Sequence, residues 1–291
     1  NKILRHVSPA FVEDPVRVLR LARFAARFGF QVASETRELI AQMIANGELQ
    51  HLVAERVWQE LEKALQTKRP SLFFYCLREV GALSTLFPEI DRLFGVSQAA
   101  KWHPEVDTGV HVMLVLDQAA RLSDDVAVRF AALCHDLGKG TTPSDMLPNH
   151  KGHETRSIQL TQELCGRLRV PREISVLAAK VAEFHTQCHV LFELPGAEVL
   201  RVMEGLDAFR KPHRFAQYLL AAEADFRGRP GYEQTEMPEK AVFQICFDKV
   251  RHITAEPFLQ AGLQGPAIRK AIASHRCQII DDILEPYRKK S

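Results

Sequence analysis

Residues 126–140 read VAVRFAALCHDLGKG. Apolar side chains recur there at helical spacing, which predicts a helix over 124–137. That helix presents His135 and Asp136 together at its C-terminal end, with Gly138 and Lys139 just beyond. The same spacing recurs along the whole chain, and no segment shows sustained alternation of β-branched residues. The predicted fold class is therefore all-α.

Upstream, Asp14-Pro15 reads as an N-cap and first-turn proline opening a helix to about Phe28. Val18, Leu21, Ala22, Ala25 and Phe28 share one face of it, and Arg17, Arg20, Arg23 and Arg27 recur on another. Ser34 is the predicted cap of the next helix, with Gly47 just past its end. Further helices are predicted over 55–66 and 71–80. A connector over 94–104, rich in Gly, Pro and small residues, separates this bundle from helices over 108–122 and 124–137. Downstream, helical segments are predicted over 153–168, 172–185, 197–209, 213–226, 240–252 and 266–283.

The chain has 291 residues, enough for two or three packed units. Apolar residues make up 46% and charged residues 25%, which excludes global disorder. Lys plus Arg is 38 against 36 for Asp plus Glu, leaving only a local basic face for nucleic acid. No apolar run approaches a membrane span, and no signal-like segment stands at the start. Cys76, Cys134, Cys165, Cys188, Cys246 and Cys277 are scattered without a CxxC, as expected of reduced thiols in a cytoplasmic protein. The first residue is Asn1, so the chain is expected to begin inside a longer protein.

Adjacent helical residues point about 100° apart. His135 and Asp136 therefore meet one ion only if it sits beside the helix and other segments complete its shell. His111, His153, His185 and Asp225 are the candidates. Such ligands suit Mn, Fe, Co, Ni or Zn, and Mg less well. The absence of cysteine from the set argues against a structural zinc site. A His-Asp dipeptide alone reads equally as a helix end with a satisfied histidine. The order H…HD…H…H…D, each member near a predicted helix end, is far more specific. Asp207 and Asp248 compete with Asp225 for the last place. Asp225 is preferred because residues 213–231, HRFAQYLLAAEADFRGRPG, read as an amphipathic helix anchored by Leu219, Leu220 and Ala224. Arg227 and Arg229 follow, within reach of Asp225 or a substrate phosphate. His6, His51, His103, His150, His189, His213, His252 and His275 read as surface or core residues.

This arrangement resembles the HD-domain superfamily of metal-dependent phosphohydrolases. The resemblance implies that His111, His135, Asp136 and Asp225 bind a first metal, with Asp136 able to bridge, and that His153 and His185 occupy second-metal positions. It assigns catalysis to His135, Asp136 and Lys139, with Lys139 placed to meet substrate phosphate.

Residues 8–30, SPAFVEDPVRVLRLARFAARFGF, carry a second signal. By pattern alone, Glu13 and Asp14 favour the positive helix N-terminus and the arginines form a solvated face. A guanidinium fork on a rigid helix also suits a base edge or a phosphate. The stretch resembles the segment just after the catalytic head of bacterial CCA-adding tRNA nucleotidyltransferases. Glu13, Asp14 and Arg17 of EDPVR match that family's protein-template motif, whose Asp and Arg recognise the incoming CTP or ATP base. Arg20 matches a second nucleotide-contacting arginine. The likeness continues through ERVWQEL, GALSTLFPEID, KWHPEVDTGVH, LCHDLGKG, RVPREI and EADFRGR. The family's Gly-Gly loop, Asp-x-Asp pair and Arg-Arg-Asp motif do not occur in this chain.

The resemblance implies a helical neck and body over 1–100 with the template motif, an HD phosphohydrolase domain over 101–230 and a helical tail over 231–291. It implies a divalent metal (Ni, Mn, Co or Mg) in the HD site, Mg for nucleotidyl transfer in the missing head, and CTP and ATP as substrates. Expected partners are tRNA and phosphoester nucleotides, without a membrane and with a homodimer as one assembly, in the cytoplasm. The expected activities of this chain are 2′,3′-cyclic phosphodiesterase, 2′-nucleotidase and phosphatase. A free-standing HD nucleotidase and a non-catalytic tRNA-binding scaffold are the alternative readings.

Overall fold

Pro9–Glu13 form a 3₁₀ turn that leads into helix α1 (Val16–Phe28) in the computed structural model, which describes residues 2–101 and 103–288. Asp14 Oδ1 accepts the Val16 N–H at 3.2 Å, satisfying one of the open donors at the helix start. Gly29 closes the other end at φ 66°, a left-handed conformation in which its N–H reaches Ala25 O. The buried face of α1 holds Val18, Leu21, Ala22 and Ala25 as predicted, but Phe28 is half-exposed. Its ring lies near-parallel to Phe24 instead of entering the core.

The buried face of α1 packs on α3 (Ala54–Leu65) and α4 (Ser71–Glu79). Between them, α2 (Ser34–Ala45) has Ala33 rather than Ser34 in the capping position. The Ser34 hydroxyl donates to the Glu35 carboxylate, so it makes no cap. Gly47 follows the end of α2 at φ 76°. Two-residue strands β1 (Ile3–Leu4) and β2 (Gln31–Val32) pair in parallel, too little sheet to change the all-α class. Short helices α5 (Leu83–Leu86) and α6 (Pro88–Asp91) complete this bundle.

The predicted connector is folded back on itself. The Gly95 N–H donates to Asp107 Oδ2, Gln98 N–H to Val106 O, and Thr108 N–H to Val96 O. Trp102, part of the KWHPEVDTGVH motif, lies outside the described residues. Asp107 also caps α7 (Thr108–Leu122) by accepting the Val110 N–H at 2.9 Å. Asp125 caps α8 (Val126–Cys134) through the Ala127 N–H in the same way. Helix α8 is shorter than predicted: it stops at Cys134, and a 3₁₀ turn, Leu137–Thr141, follows the His-Asp pair.

Helix α8 is buried on nearly all sides by α7, α10 (Arg172–His189) and α12 (Pro212–Arg227), while α10 also packs against α9 (His153–Leu168). Helix α10 continues one turn past its predicted end at His185, which brings His189 onto the His185 face. At the junction of the two bundles the Trp58 and Phe130 rings meet edge-to-face at 5.4 Å. Each such fully buried large apolar side chain contributes about 1.5–3 kcal/mol, more than an exposed ion pair.

Helices α11 (Gly196–Gly205), α13 (Pro238–Val250), α14 (Glu256–Gln260) and α15 (Pro266–Leu284) form the remainder, with α15 packed on α11 and α13. Among the described residues, a large hydrophobic cluster runs from Val18 to Leu284, and a small one joins Val115, Ala119, Ala132 and Ala224. All six cysteines are free, and five are buried. Among the described residues, no helix is long and apolar enough to cross a membrane.

Candidate metal centre

Five helix ends meet around the His-Asp pair. His111 sits in the first turn of α7, His135 follows the last residue of α8, His153 opens α9, and His185 lies in the last turns of α10. Asp225 comes from the end of α12. All six residues singled out as ligands are brought together, and Asp207 and Asp248 are not. Asp207 pairs with Arg210 at the surface, and Asp248 bonds Gln244 in exposed surroundings.

Three of the histidines have their rings oriented by backbone. Nδ1 of His135 donates to Ala132 O at 2.7 Å, that of His153 to His150 O at 3.0 Å and that of His185 to Val181 O at 3.2 Å. A carbonyl only accepts, so the proton is assigned to Nδ1 and Nε2 faces the centre. There His153 Nε2 and His185 Nε2 lie 3.2 and 3.5 Å from Asp136 Oδ1. His135 Nε2 lies 3.2 Å from Asp136 Oδ2 and 3.6 Å from Asp225 Oδ1. His111 Nε2 is 3.0 Å from Asp225 Oδ1.

Three of these inward atoms, His135 Nε2, Asp136 Oδ1 and His153 Nε2, are buried without a hydrogen-bond partner. Native interiors rarely leave such atoms unsatisfied, and ion ligation is one arrangement that satisfies them. Potential ligand atoms of His111, His135 and Asp136, and separately of Asp136, His153 and His185, all fall within 4.8 Å of one another. Asp136 belongs to both groups, with one oxygen toward each.

The electrostatics follow from burial in close quarters. Burial works against a carboxylate at Asp136 and Asp225, yet Lys139 and His135 hold Asp136, and His135 and His189 hold Asp225, well below the usual range. Burial also opposes the charged form of His135, but the Asp136 and Asp225 carboxylates raise it to about 9. Burial prevails at His185 and lowers it.

The turn carrying Asp136 is locked to α9. Gly138 N–H donates to Ser157 Oγ at 2.8 Å. A Cβ at Gly138 would stand 2.2 Å from His153 O and 2.6 Å from Ser157 N. Gly138→Ala is therefore expected to push α9 and His153 off the turn, costing about 1–3 kcal/mol of stability. A loss of metal affinity alongside a lower urea midpoint is the expected result; an unchanged midpoint would show that the turn yields freely.

Several neighbours escaped the sequence reading. His189, read as surface or core, donates from Nε2 to Asp225 Oδ2 at 2.7 Å and faces a cavity of about 440 Å³ beside the cluster. Its signal was the four-residue spacing from His185, hidden by ending the helix too early. His103 belongs there too. Its Nδ1 lies 3.1 Å from Glu105 Oε1, which is also 2.7 Å from His111 Nδ1. Glu105 stands inside KWHPEVDTGVH, but nothing in its spacing marks it as a partner. Lys139 Nζ is buried between Asp136 Oδ2 at 2.7 Å and Gln98 Oε1 at 3.0 Å, so two of its three donors are engaged within the protein. His150 is a satisfied histidine between Thr142 and Ser97 O.

The four residues expected to contact nucleotide, Glu13, Asp14, Arg17 and Arg20, divide. Arg17 and Arg20 line a separate cleft of about 410 Å³ with Phe11 and Phe24. Arg17 Nη1 donates to Ala10 O. Glu13 is exposed and does not line that cleft. Asp14 does not line it either, and its Oδ2 accepts from Arg56 at 2.8 Å.

Comparison with known proteins gives two family matches along the chain. Residues 29–94 match the family described as probable RNA and SrmB-binding site of polymerase A, and residues 108–213 match the HD domain. A multifunctional CCA protein of Thioalkalivibrio sulfidiphilus is 54% identical over 97% of this chain and 70% of its own length. That of Nitrosococcus oceani is 51% identical over 98% and 70%. A CCA-adding enzyme solved with ATP shares the fold at TM-score 0.61 and 16% identity, over 98% of this chain and 63% of that one. With more than half of its residues identical across nearly its whole length, the chain belongs to the multifunctional CCA protein family.

Proposed function

We propose that this chain is the HD-bearing portion of a CCA-adding tRNA nucleotidyltransferase, and that its His–Asp cluster hydrolyses nucleotide phosphoesters. The substrates are 2′,3′-cyclic phosphates, 2′-nucleotides and simple monoesters. The observation that carries the reading is the convergence of buried, unpartnered His135 Nε2, Asp136 Oδ1 and His153 Nε2. This donor set suits a divalent transition ion such as Ni, Mn or Co, with Mg as a poorer fit. A divalent ion held there would activate water near neutral pH and offset phosphoryl charge.

The residues have separable parts in this reading. His111, His135, Asp136 and Asp225 hold one ion, and His153 and His185 with Asp136 hold a second. The backbone carbonyls of Ala132, His150 and Val181 keep three imidazoles turned inward, so little reorganisation accompanies binding. Lys139 steadies the Asp136 carboxylate and has a third donor available for substrate phosphate. Arg17 and Arg20 recognise the base of CTP or ATP from their own cleft, and Arg56 keeps Asp14 fixed beside them. The first bundle contributes to binding tRNA.

The purified chain is expected to release phosphate from 2′-AMP and to open 2′,3′-cyclic AMP when supplied with Mn²⁺, Ni²⁺ or Co²⁺. Chelation should remove both activities, and the ion should restore them. Absence of turnover with every ion, despite normal metal binding, would favour the non-catalytic tRNA-binding scaffold.

A further inference from the structure

Histidines aside, the cavity beside the cluster is lined by four acidic groups, Asp136, Asp225, Glu193 and Glu239, against the two cations Lys139 and Arg229. An ester phosphate entering it needs more than one donor, and Lys139, bonded to Asp136 and Gln98, has a single one left. Arg229 is placed differently. Its guanidinium carbon lies 4.6 Å from the Phe226 ring centroid and 4.7 Å from that of Tyr232. The two rings stand nearly perpendicular, 5.4 Å apart, and form a notch that holds the guanidinium. Nε donates to Phe226 O at 3.1 Å. Among the described residues, the two terminal nitrogens have no hydrogen-bond acceptor and no carboxylate within ion-pair distance. Arg227, two residues earlier, instead pairs with Glu223 at 2.7 Å.

A positive side chain held by two rings and a carbonyl has lost most of its rotamer freedom before any ligand arrives. Its unused donors form a planar fork that matches two oxygens of a phosphate. We propose that Arg229 binds the phosphate of the ester that enters this cavity, acting in substrate capture rather than in holding metal. The inference rests on the hydrolytic reading above for its substrate. It adds the residue that recognises the oxyanion, and the aromatic notch that orients that residue.

Arg229→Ala should raise KM for 2′-AMP and 2′,3′-cyclic AMP by about 10–100-fold, the worth of a charge-assisted hydrogen-bond pair. The fall in kcat should be much smaller, and Mn²⁺ affinity by calorimetry should not change. Arg229→Lys should fall between the two, because a point charge cannot fork. Tyr232→Leu, which removes one wall of the notch, should raise KM by a smaller factor. Inorganic phosphate separates the sources of the oxyanion. Its inhibition constant should rise in step with KM if Arg229 grips the ester being cleaved. Unaltered phosphate inhibition, with weakening only for longer oligonucleotides, would overturn that assignment in favour of a neighbouring phosphate. Unchanged KM, or a loss of Mn²⁺ affinity in Arg229→Ala, would also overturn it. Should the wild-type chain hydrolyse nothing, the hydrolytic reading fails, while calorimetric binding of inorganic phosphate to the Mn²⁺-loaded chain still decides the role of Arg229.

Discussion

Replacing Asp136 with alanine is expected to abolish phosphoester hydrolysis and to weaken metal binding by more than about 100-fold. Loss of an outer partner of a metal ligand already costs about 10–100-fold. Asp136 faces both groups of potential ligands directly, with His153 and His185 near Oδ1 and His135 near Oδ2. The same change leaves Lys139 buried without its carboxylate. Removing one member of a buried ion pair typically costs about 3–5 kcal/mol, so the metal-free variant should also unfold at lower urea. Asp136→Asn keeps the shape and one acceptor oxygen while removing the charge, so it should weaken metal binding with less loss of packing. Calorimetric titration with Mn²⁺ is the deciding measurement. Near-normal affinity in both variants would remove Asp136 from the centre of the site.

The second large effect concerns stability. Arg129 lies within the apolar stretch VAVRFAALC and is only 2% exposed. Its guanidinium donates to Leu65 O at 2.5 Å and Thr67 O at 3.2 Å in the first bundle. Within its own bundle it reaches Ser123 O at 2.7 Å and Ala120 O at 3.1 Å. The remaining partner, Asp124, is fully solvent-exposed, so that ion pair is screened and adds little. The carbonyls are the main partners. Arg129→Leu would leave four of them without this donor, and hydrogen bonds from charged groups contribute about 1.5–3 kcal/mol each before compensation by water. A net loss of about 3 kcal/mol or more is expected, lowering Tm by at least about 6 °C. A thermal melt of the variant within about 2 °C of wild type would show that water or a rearranged loop serves those carbonyls equally well.

These two residues also mark the boundary between local and non-local information. The helices, and the positions of His111, His135, Asp136, His153, His185 and Asp225 near their ends, were legible from spacing, capping residues and order along the chain. Those signals act within a few residues, and the backbone answers them within a turn or two. The carbonyls that orient His135, His153 and His185 are three or four residues away, and they too belong to this local level.

Arg129, Gln98 and Glu105 gave no such signal, and that of His189, its four-residue spacing from His185, lies beyond the predicted helix end. Arg129 reaches Leu65 across 64 positions, Lys139 reaches Gln98 across 41, and His189 reaches Asp225 across 36. A buried arginine in an apolar helix looks like a defect until the carbonyl ends of another helix are packed against it. His189 looks like a surface histidine until α10 is carried one turn further and α12 is laid beside it. Periodicity states which face of a helix is buried, but not which polar atoms another helix will bring to that face. Desolvation then makes each such meeting expensive unless donor and acceptor match. The composition of the His–Asp centre is thus a local property of the chain, whereas its charge balance, its second layer of partners and the notch around Arg229 arise from helix packing.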